Sequence, residues 1–305
     1  MSTYTLGSSE VAVVLGLGRT KHDGEPWVSE LEVYARLLGL IARYDDDGGP
    51  EAEVGRWFEA GVLQRLSVER GWQWGRDIVP GPTLEQPGLK SPSFPWHARP
   101  DALAKAVGAT VEAKCPRALD SEEWGPTVED IPPYYAVQVL SQLAIAHELW
   151  GWNSGILAAM ARVPGWSYGA PKTWATYQLH HQPRRAKLMA DRVNAWLDRH
   201  VHAGVPPEPD GSQSATNTLR RMFRPIDDKV YEATPTDLER YRRALASRDA
   251  ADELAARMRE EQQHLQAAMA DASALVDADG RRLATWRADK NGSRRWRFEV
   301  QQGEL

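Results

Sequence analysis

The spacing of apolar side chains divides the chain into elements before any residue chemistry is considered. From Ser29 to Ala42, Leu31, Tyr34, Leu37, Leu38 and Ile41 recur near helical intervals and predict an amphipathic helix. Glu51 to Arg70 repeats the pattern with Val54, Trp57, Phe58, Val62, Leu63 and Leu66. Thr110 to Lys114 is a short apolar segment running into Pro116 and predicts a strand. Ile131 to Trp150 predicts a helix. Pro132 and Pro133 suit its first turn, and Tyr135, Val139, Leu143, Ala146 and Leu149 form its apolar stripe. Gly155 to Arg162 and Thr173 to His180 predict strands, and Arg184 to His202 an amphipathic helix through Leu188, Val193, Trp196 and Leu197. Helices, then strands, a helix, strands and a helix predict an α/β layer.

The periodicity breaks at Gly204-Val-Pro-Pro-Glu-Pro-Asp-Gly211, followed by Ser, Gln and Thr. Prolines block helix and remove backbone donors. Residues 204–218 therefore read as a connector between a main domain, 1–203, and a C-terminal appendage, 219–305. In the appendage Thr236 to Met269 predicts one long helix, about 50 Å if continuous, opened by the capping chemistry of Thr234-Pro235-Thr236-Asp237. Beyond it Ala274-Leu-Val and Leu283-Ala-Thr-Trp286 flank Asp279-Gly280, a hairpin turn signal.

Composition narrows the class. The 305 residues carry 37 Lys+Arg against 42 Asp+Glu, a formal net charge of −5 spread over both parts of the chain. No apolar run approaches the roughly 18–20 residues of a membrane span. Val11 to Leu17 follows no basic segment, so no leader is expected and the expected location is cytoplasmic. The single cysteine, Cys115, excludes an internal disulfide, a four-cysteine zinc site and an iron–sulfur cluster made by this chain alone.

Candidate chemistry lies in Trp96-His-Ala-Arg-Pro-Asp101 and Val111-Glu-Ala-Lys114. On a strand Glu112 and Lys114 share a face, because side chains alternate. If the preceding segment pairs alongside, Asp101 meets Glu112 at one end of a sheet. Two carboxylates and a backbone carbonyl form a hard oxygen site suited to Mg²⁺ or Mn²⁺. The neighbouring lysine can hold an attacking water or stabilise charge at a phosphate. That is the physics of metal-dependent phosphodiester hydrolysis. By itself an Asp, Glu and Lys trio equally describes a surface ion pair.

Four ordered segments make the pattern more specific. They are Leu6-Gly-Ser-Ser-Glu-Val-Ala-Val-Val-Leu-Gly16, Gly55-Arg-Trp-Phe-Glu59, the stretch from Arg99 to Pro116, and Ile131-Pro-Pro-Tyr-Tyr-Ala-Val-Gln-Val-Leu140. In this order the chain resembles the lambda-exonuclease-type, YqaJ-like phage recombinases of the PD-(D/E)xK nuclease superfamily. The resemblance covers residues 6 to about 142, with compatible elements to about 203. It implies a restriction-endonuclease-like core, a central mixed β-sheet flanked by helices, to which the long helix and β-hairpin are appended. It implies that Asp101 and Glu112 ligate Mg²⁺ (or Mn²⁺) with the Ala113 carbonyl, and that Lys114 is the catalytic lysine. Glu59 completes a metal or its water shell, and Gln138 and Tyr135 contact the scissile region or orient water. Ser9 contacts a phosphate. Family members often carry an arginine just before the Gly/Ser entry; here only Met-Ser-Thr-Tyr-Thr-Leu precedes it. Arg19, Lys21 and Arg99 are the candidates for that grip, with Arg99 carried beside Ser9 and Tyr135 in the DNA-contacting set. The implied activity is an ATP-independent exonuclease on linear duplex DNA ends, 5′→3′, leaving 3′ single strands for recombination by annealing. The implied assembly is a homo-oligomeric ring, trimer or tetramer, with a single-strand annealing protein as partner, in the bacterial host cytoplasm.

Two rival readings stand beside this one: an endonuclease of the same superfamily, and a catalytically idle DNA-binding or interaction module. Several other signals carry less. Gly16-Leu-Gly18-Arg-Thr-Lys21 lacks the full phosphate-loop pattern. His180, His181, His200 and His202 fit surface positions. Most of the 13 tryptophans are expected in the core. Trp286 and Trp296 lie among arginines, a pattern that suits either nucleic acid or a solvated hairpin.

Overall fold

The computed structural model describes the chain apart from residues 1–5, 19, 21–24, 43–48, 84–85, 117–118, 120–123, 163–172, 225–229, 278–279, 289–293 and 300–305, and apart from the side chains of 49–54 and 56. Two compact units follow one another, residues 1–225 and 226–305.

The first unit opens with β1 (Leu6–Gly7), α1 (Ser8–Val14), α2 (Glu30–Leu37) and α3 (Gly49–Arg70). Short strands follow: β2 (Val79–Pro80), β3 (Leu89–Lys90), β4 (Trp96–Ala98), β5 (Ala102–Ala104) and β6 (Ala109–Lys114). Then come α4 (Pro133–Trp150), β7 (Ser154–Met160), β8 (Trp174–His180), α5 (Pro183–Trp196) and α6 (Gln213–Met222). A five-stranded mixed sheet has the order β2-β5-β6-β7-β8, with β6 and β7 parallel and the other pairs antiparallel. A parallel pair needs a crossover, and α4 supplies it. The order β1-β4-β3 forms a second, small sheet.

One face of the five-stranded sheet packs on α3, where Val62, Leu63 and Leu66 meet Ile78, Ala102, Val111 and Ile156. The other carries α4, where Val139 meets Leu157, Ala159, Tyr177 and Leu179. Alanine and glycine on the strands let the helices approach closely. At Gly155 of β7 a methyl group would fall 2.7 Å from Val139 Cγ1. A third apolar cluster joins α1, α2 and α5 to Trp96 of β4.

Several elements depart from the sequence pattern. Helix α2 ends at Leu37 rather than Ala42, because Gly39 turns left-handed (φ 67°) and Leu40 N–H donates back to Ala35 O at 2.8 Å. Gly16 (φ 70°) ends α1 in the same way, so the glycines there stop a helix. The helix expected to reach His202 is α-helical to Trp196 and continues as a π turn over Leu197–His202. Residues 204–218 are not a free connector throughout. Ser212 caps α6, which packs on α2, and Ser29 N–H donates to Ser214 Oγ at 2.8 Å. The Pro-rich stretch is local, and tertiary contact reclaims the chain after it.

The tryptophans are less buried than their spacing suggests. Trp96, Trp124 and Trp196 are buried, whereas Trp27, Trp57, Trp74 and Trp150 are exposed, Trp57 at 75%. On α3 the buried stripe begins at Val62 and leaves Trp57 and Phe58 outside. His180 is exposed as expected, but His181 stacks on His147, with ring centroids 3.9 Å apart and planes 11° apart.

The second unit contains α7 (Pro235–Met269), β9 (Ala274–Val276), β10 (Arg282–Ala288) and β11 (Arg294–Phe298). Thr234 accepts from Asp237 N–H, and Asp237 accepts from Thr234 N–H at 3.0 Å, a reciprocal cap that starts α7. The expected hairpin is part of a three-stranded antiparallel sheet, β11-β10-β9. Gly280 turns left-handed at the expected place, and Asp279 lies outside the described residues. Among the described residues no helix is long and apolar enough to cross a membrane.

Candidate active site

Strand pairing builds the site. Register between β5 and β6 sets Ala102 opposite Val111, so Asp101, one residue earlier, lies opposite Glu112. Ala109, Val111 and Ala113 point toward α3, which leaves Glu112 and Lys114 on the face that α4 covers. Asp101 is fixed by the Ala113 N–H, which donates to Oδ2 at 2.7 Å.

Glu112 is the buried centre, with its side chain 2% exposed. Its Oε1 accepts from Lys114 Nζ and from Gln138 Nε2 at 2.5 Å. Its Oε2 accepts from Gln142 Nε2 at 2.6 Å. Gln138 and Gln142 are one turn apart on α4 and reach the same carboxylate. The Lys114 ammonium also lies over the Tyr135 ring, 5.3 Å from its centroid, and Tyr135 packs against Tyr134 and Trp124.

A cavity of about 480 Å³ opens over this cluster. Ser9, Glu59, Asp101, Ala113, Lys114, Tyr135 and Gln138 all line it. Eight of the nine site residues inferred from sequence thus converge, because Glu112 bonds Lys114 and Gln138 from beneath. Arg99 does not join them. Its guanidinium meets His97 Nε2 at 2.5 Å and donates to Gln86 O at 3.3 Å. Arg19 and Lys21 lie outside the described residues.

Two residues escaped the sequence reading. Gln142 is fully buried, and among the described residues its amide oxygen has no hydrogen-bond partner. Its four-residue spacing from Gln138 was the available signal, hidden in a helix that otherwise reads as core. Arg162, just past β7, lines the cavity, and its buried Nε has no hydrogen-bond partner among the described residues. No local motif marks it, since the parallel pairing of β6 and β7 is what brings it there.

The electrostatics are those of crowded acids around one cation. Burial, then the charges of Glu112 and Glu59, hold the Asp101 carboxyl well above its usual range, against the pull of Lys114. Burial and then Glu112 also raise Glu59. Burial opposes the charge on Lys114, but Glu112 and Asp101 outweigh it and raise the ammonium above its ordinary value. Burial raises the Cys115 thiol, with Arg162 pulling the other way.

Among the described residues no three His, Cys, Asp or Glu side chains gather closely enough to hold an ion alone. The donors that fit a hard divalent cation are the Asp101 and Glu112 carboxylates and the Ala113 carbonyl, with Glu59 at the rim. The fit rests on oxygen chemistry and on the excess negative charge that raises Asp101 and Glu59.

A mixed sheet brings two carboxylates and a lysine of paired strands to one cavity, and comparison with known proteins shows what this part of the chain is similar to. Residues 2–148 match the YqaJ-like viral recombinase domain. No curated protein matches the sequence. Among solved structures, the alkaline exonuclease LHK-Exo of Laribacter hongkongensis in complex with dAMP is similar at 16% identity and a TM-score of 0.44, over 66% of this chain and 89% of that one. A phage-related exonuclease of Haemophilus somnus 129PT is similar at 10% identity and a TM-score of 0.44, over 66% of this chain and 97% of that one.

Proposed function

We propose that the first unit is a Mg²⁺-dependent, ATP-independent exonuclease that hydrolyses linear duplex DNA from its ends, 5′→3′, leaving 3′ single strands for recombination by annealing. The observation that carries this reading is the register of β5 and β6. It sets Asp101 opposite Glu112 beside Lys114, within the segment that matches the YqaJ-like viral recombinase domain.

Asp101, Glu112 and the Ala113 carbonyl hold the cation, and Glu59 completes its surroundings. When bound, the cation supplies charge neutralisation at the phosphate and a more acidic water. The Lys114 ammonium is held by Glu112 and stabilises charge developing on the phosphate oxygens. Gln138 and Gln142 fix the Glu112 carboxylate through one amide N–H each. Ser9 and Tyr135 line the cavity where the sugar-phosphate backbone passes. Arg99 supports the strand end through His97 and the loop at Gln86, and Arg162 supplies the guanidinium that faces the cavity.

The proposed assembly is a homo-oligomeric ring, trimer or tetramer, working with a single-strand annealing protein. Residues 226–305 mediate subunit contacts or recruit that partner. A ring keeps a chain of net charge −5 on DNA by enclosure more than by overall attraction.

The deciding experiment is digestion of linear duplexes with 5′-phosphate, 5′-hydroxyl or blocked ends, beside a covalently closed circle, with and without Mg²⁺. Nucleotides released from open ends, with the circle intact, are expected. Cutting of the circle instead selects an endonuclease. No hydrolysis under any condition, with DNA still bound, leaves an idle binding module.

A further inference from the structure

Glu59 and Asp101 line a second cavity besides the one over Lys114. It measures about 710 Å³, within the range of roughly 300–1,000 Å³ that small-ligand sites occupy. Leu63 and Val68 of α3, with Trp72, Trp74 and Pro80, form its apolar wall. The chain after α3 holds this wall in place. Trp72 N–H donates to Ser67 O at 2.8 Å, and the Trp72 ring packs on the cluster shared by α3 and the sheet. Around Trp74, Gly75 N–H donates to Ile78 O and Gln73 N–H to Asp77 Oδ2, both at 2.8 Å. Gly81 N–H donates to Asp101 O at 3.0 Å, which keeps Pro80 beside the carboxylate. Trp74 nonetheless stays 48% exposed and Val68 76%. An apolar surface held open beside a reacting site marks a place where something binds.

The two cavities differ in chemistry. Ser9, Lys114, Gln138 and Arg162 line the first, and cations and donors of this kind suit phosphate oxygens. Among the described residues that line the second there is no Lys, Arg or His. Apart from the two carboxylates, its polar members are Gln64 and Ser67, and the Ser67 hydroxyl is spent on Leu63 O at 2.8 Å. A phosphodiester lying over Glu59 and Asp101 carries a nucleoside on each side. The nucleoside on the Trp74 side meets an indole, aliphatic side chains and one amide. A base inside a duplex has both faces covered by its neighbours, so only an unpaired base presents a face to that indole.

We propose that this groove binds an unpaired nucleobase of the strand being cut, next to the scissile phosphate, by stacking on Trp74. Every base has a π-face, so stacking tolerates any sequence. The Gln64 amide both donates and accepts, so it admits each base without selecting one. The groove therefore favours a DNA end whose last pairs have opened over one that is fully paired.

The inference rests on the nuclease reading of the first unit, and its test separates the two. Binding of fluorescent duplexes to the full chain is measured by anisotropy in Ca²⁺, with the DNA shown intact on a gel. One duplex has its last two pairs mismatched at the 5′ end; a second is identical but abasic at those two 5′ nucleotides. Wild type is expected to bind the first about 5–150-fold more tightly, as for one base on one aromatic ring. Trp74→Ala is expected to lose that factor on the mismatched duplex and almost nothing on the abasic one, and Trp74→Phe to keep most of it. The coupling between ring and base isolates their contact from any change in the fold. Equal losses on both duplexes overturn the proposal. Unchanged affinity in Trp74→Ala also overturns it and leaves the groove to a protein partner or a second copy of the chain. Absence of binding to either duplex by wild type removes DNA as the ligand of the first unit, and the stacked base with it. Hydrolysis of the mismatched duplex by wild type in Mg²⁺ is scored separately, so stacking without hydrolysis fails the nuclease reading alone.

Discussion

At the residue scale the site turns on Glu112, a buried carboxylate that spends both oxygens on Lys114 and two glutamines. The two amides differ in burial, and that separates their roles. Gln142 is fully buried, whereas Gln138 lines the cavity. Replacing Gln142 with leucine removes a hydrogen bond to a buried charge, a loss of about 1.5–3 kcal/mol, and is expected to appear mainly in urea unfolding. Gln138→Leu is expected to cost less stability and more rate, so the ratio of the two effects inverts between the variants. Equal stability losses would remove the distinction. Lys114→Ala and Asp101→Ala remove charge from the reacting region and are expected to lower Mg²⁺-dependent nucleotide release by about 10²–10³-fold or more with the fold intact. Activity equal to wild type in either variant removes the catalytic assignment. That Glu112 and Lys114 share a face was readable in the sequence because strand alternation is strict, whereas Asp101 meets Glu112 only through the register of β5 and β6. The Gln142 contact was not, since a polar residue on a well-striped helix announces itself only when the buried charge it meets is known.

At the element scale, α4 must lie close to β7 for its glutamines to reach Glu112. Gly155 makes that possible, and Val139 is what a side chain there would strike. Gly155→Ala is expected to lift α4, destabilise by about 1–3 kcal/mol, and slow hydrolysis by drawing Gln138 away. Adding Val139→Ala removes the struck methyl group, so the double variant is expected to recover activity relative to Gly155→Ala alone. Additive losses would show that the helix does not respond as a rigid body. The other end of α4 carries a pH-dependent contact. His147 stacks on His181, and burial followed by the neighbouring imidazole lowers the His181 pKa. A histidine whose folded pKa is depressed contributes stability above its unfolded value, near 6.5, and that stability is lost as pH falls through the folded value. Thermal midpoints measured at pH 7.5 and 5.5 are expected to differ less in His181→Phe than in wild type. An identical difference would place the acid sensitivity elsewhere. Helices α3 and α4 were legible from their apolar stripes, and α7 from the capping chemistry at Thr234 to Asp237 that opens it. Strand β11 was not, because Arg-Arg-Trp-Arg-Phe has its charged face outward and shows little apolar signal.

At the scale of the whole molecule, the boundary between units is set by packing rather than by composition. The prolines near 206 look like a domain edge, yet α6 lies beyond them and belongs to the first unit. Ala215 is 1% exposed, and Ser214 supplies the acceptor for the buried Ser29 N–H at the start of α2. Arg221 also donates to Ala42 O at 2.9 Å. A chain ending at 225 keeps these contacts, and one ending at 212 loses them. The loss combines two or three hydrogen bonds at about 1 kcal/mol each with the burial of Ala215 and Leu219. It is expected to lower stability by about 3 kcal/mol, or roughly 6–12 °C in Tm for a unit of this size. Residues 1–225 should therefore melt near the full chain's main transition and hydrolyse a short duplex, whereas residues 1–212 should melt lower. Light scattering on 1–225 then tests what the second unit contributes to assembly. Fewer subunits per particle than the full chain forms assigns subunit contacts to 226–305. An unchanged number of subunits places those contacts within residues 1–225.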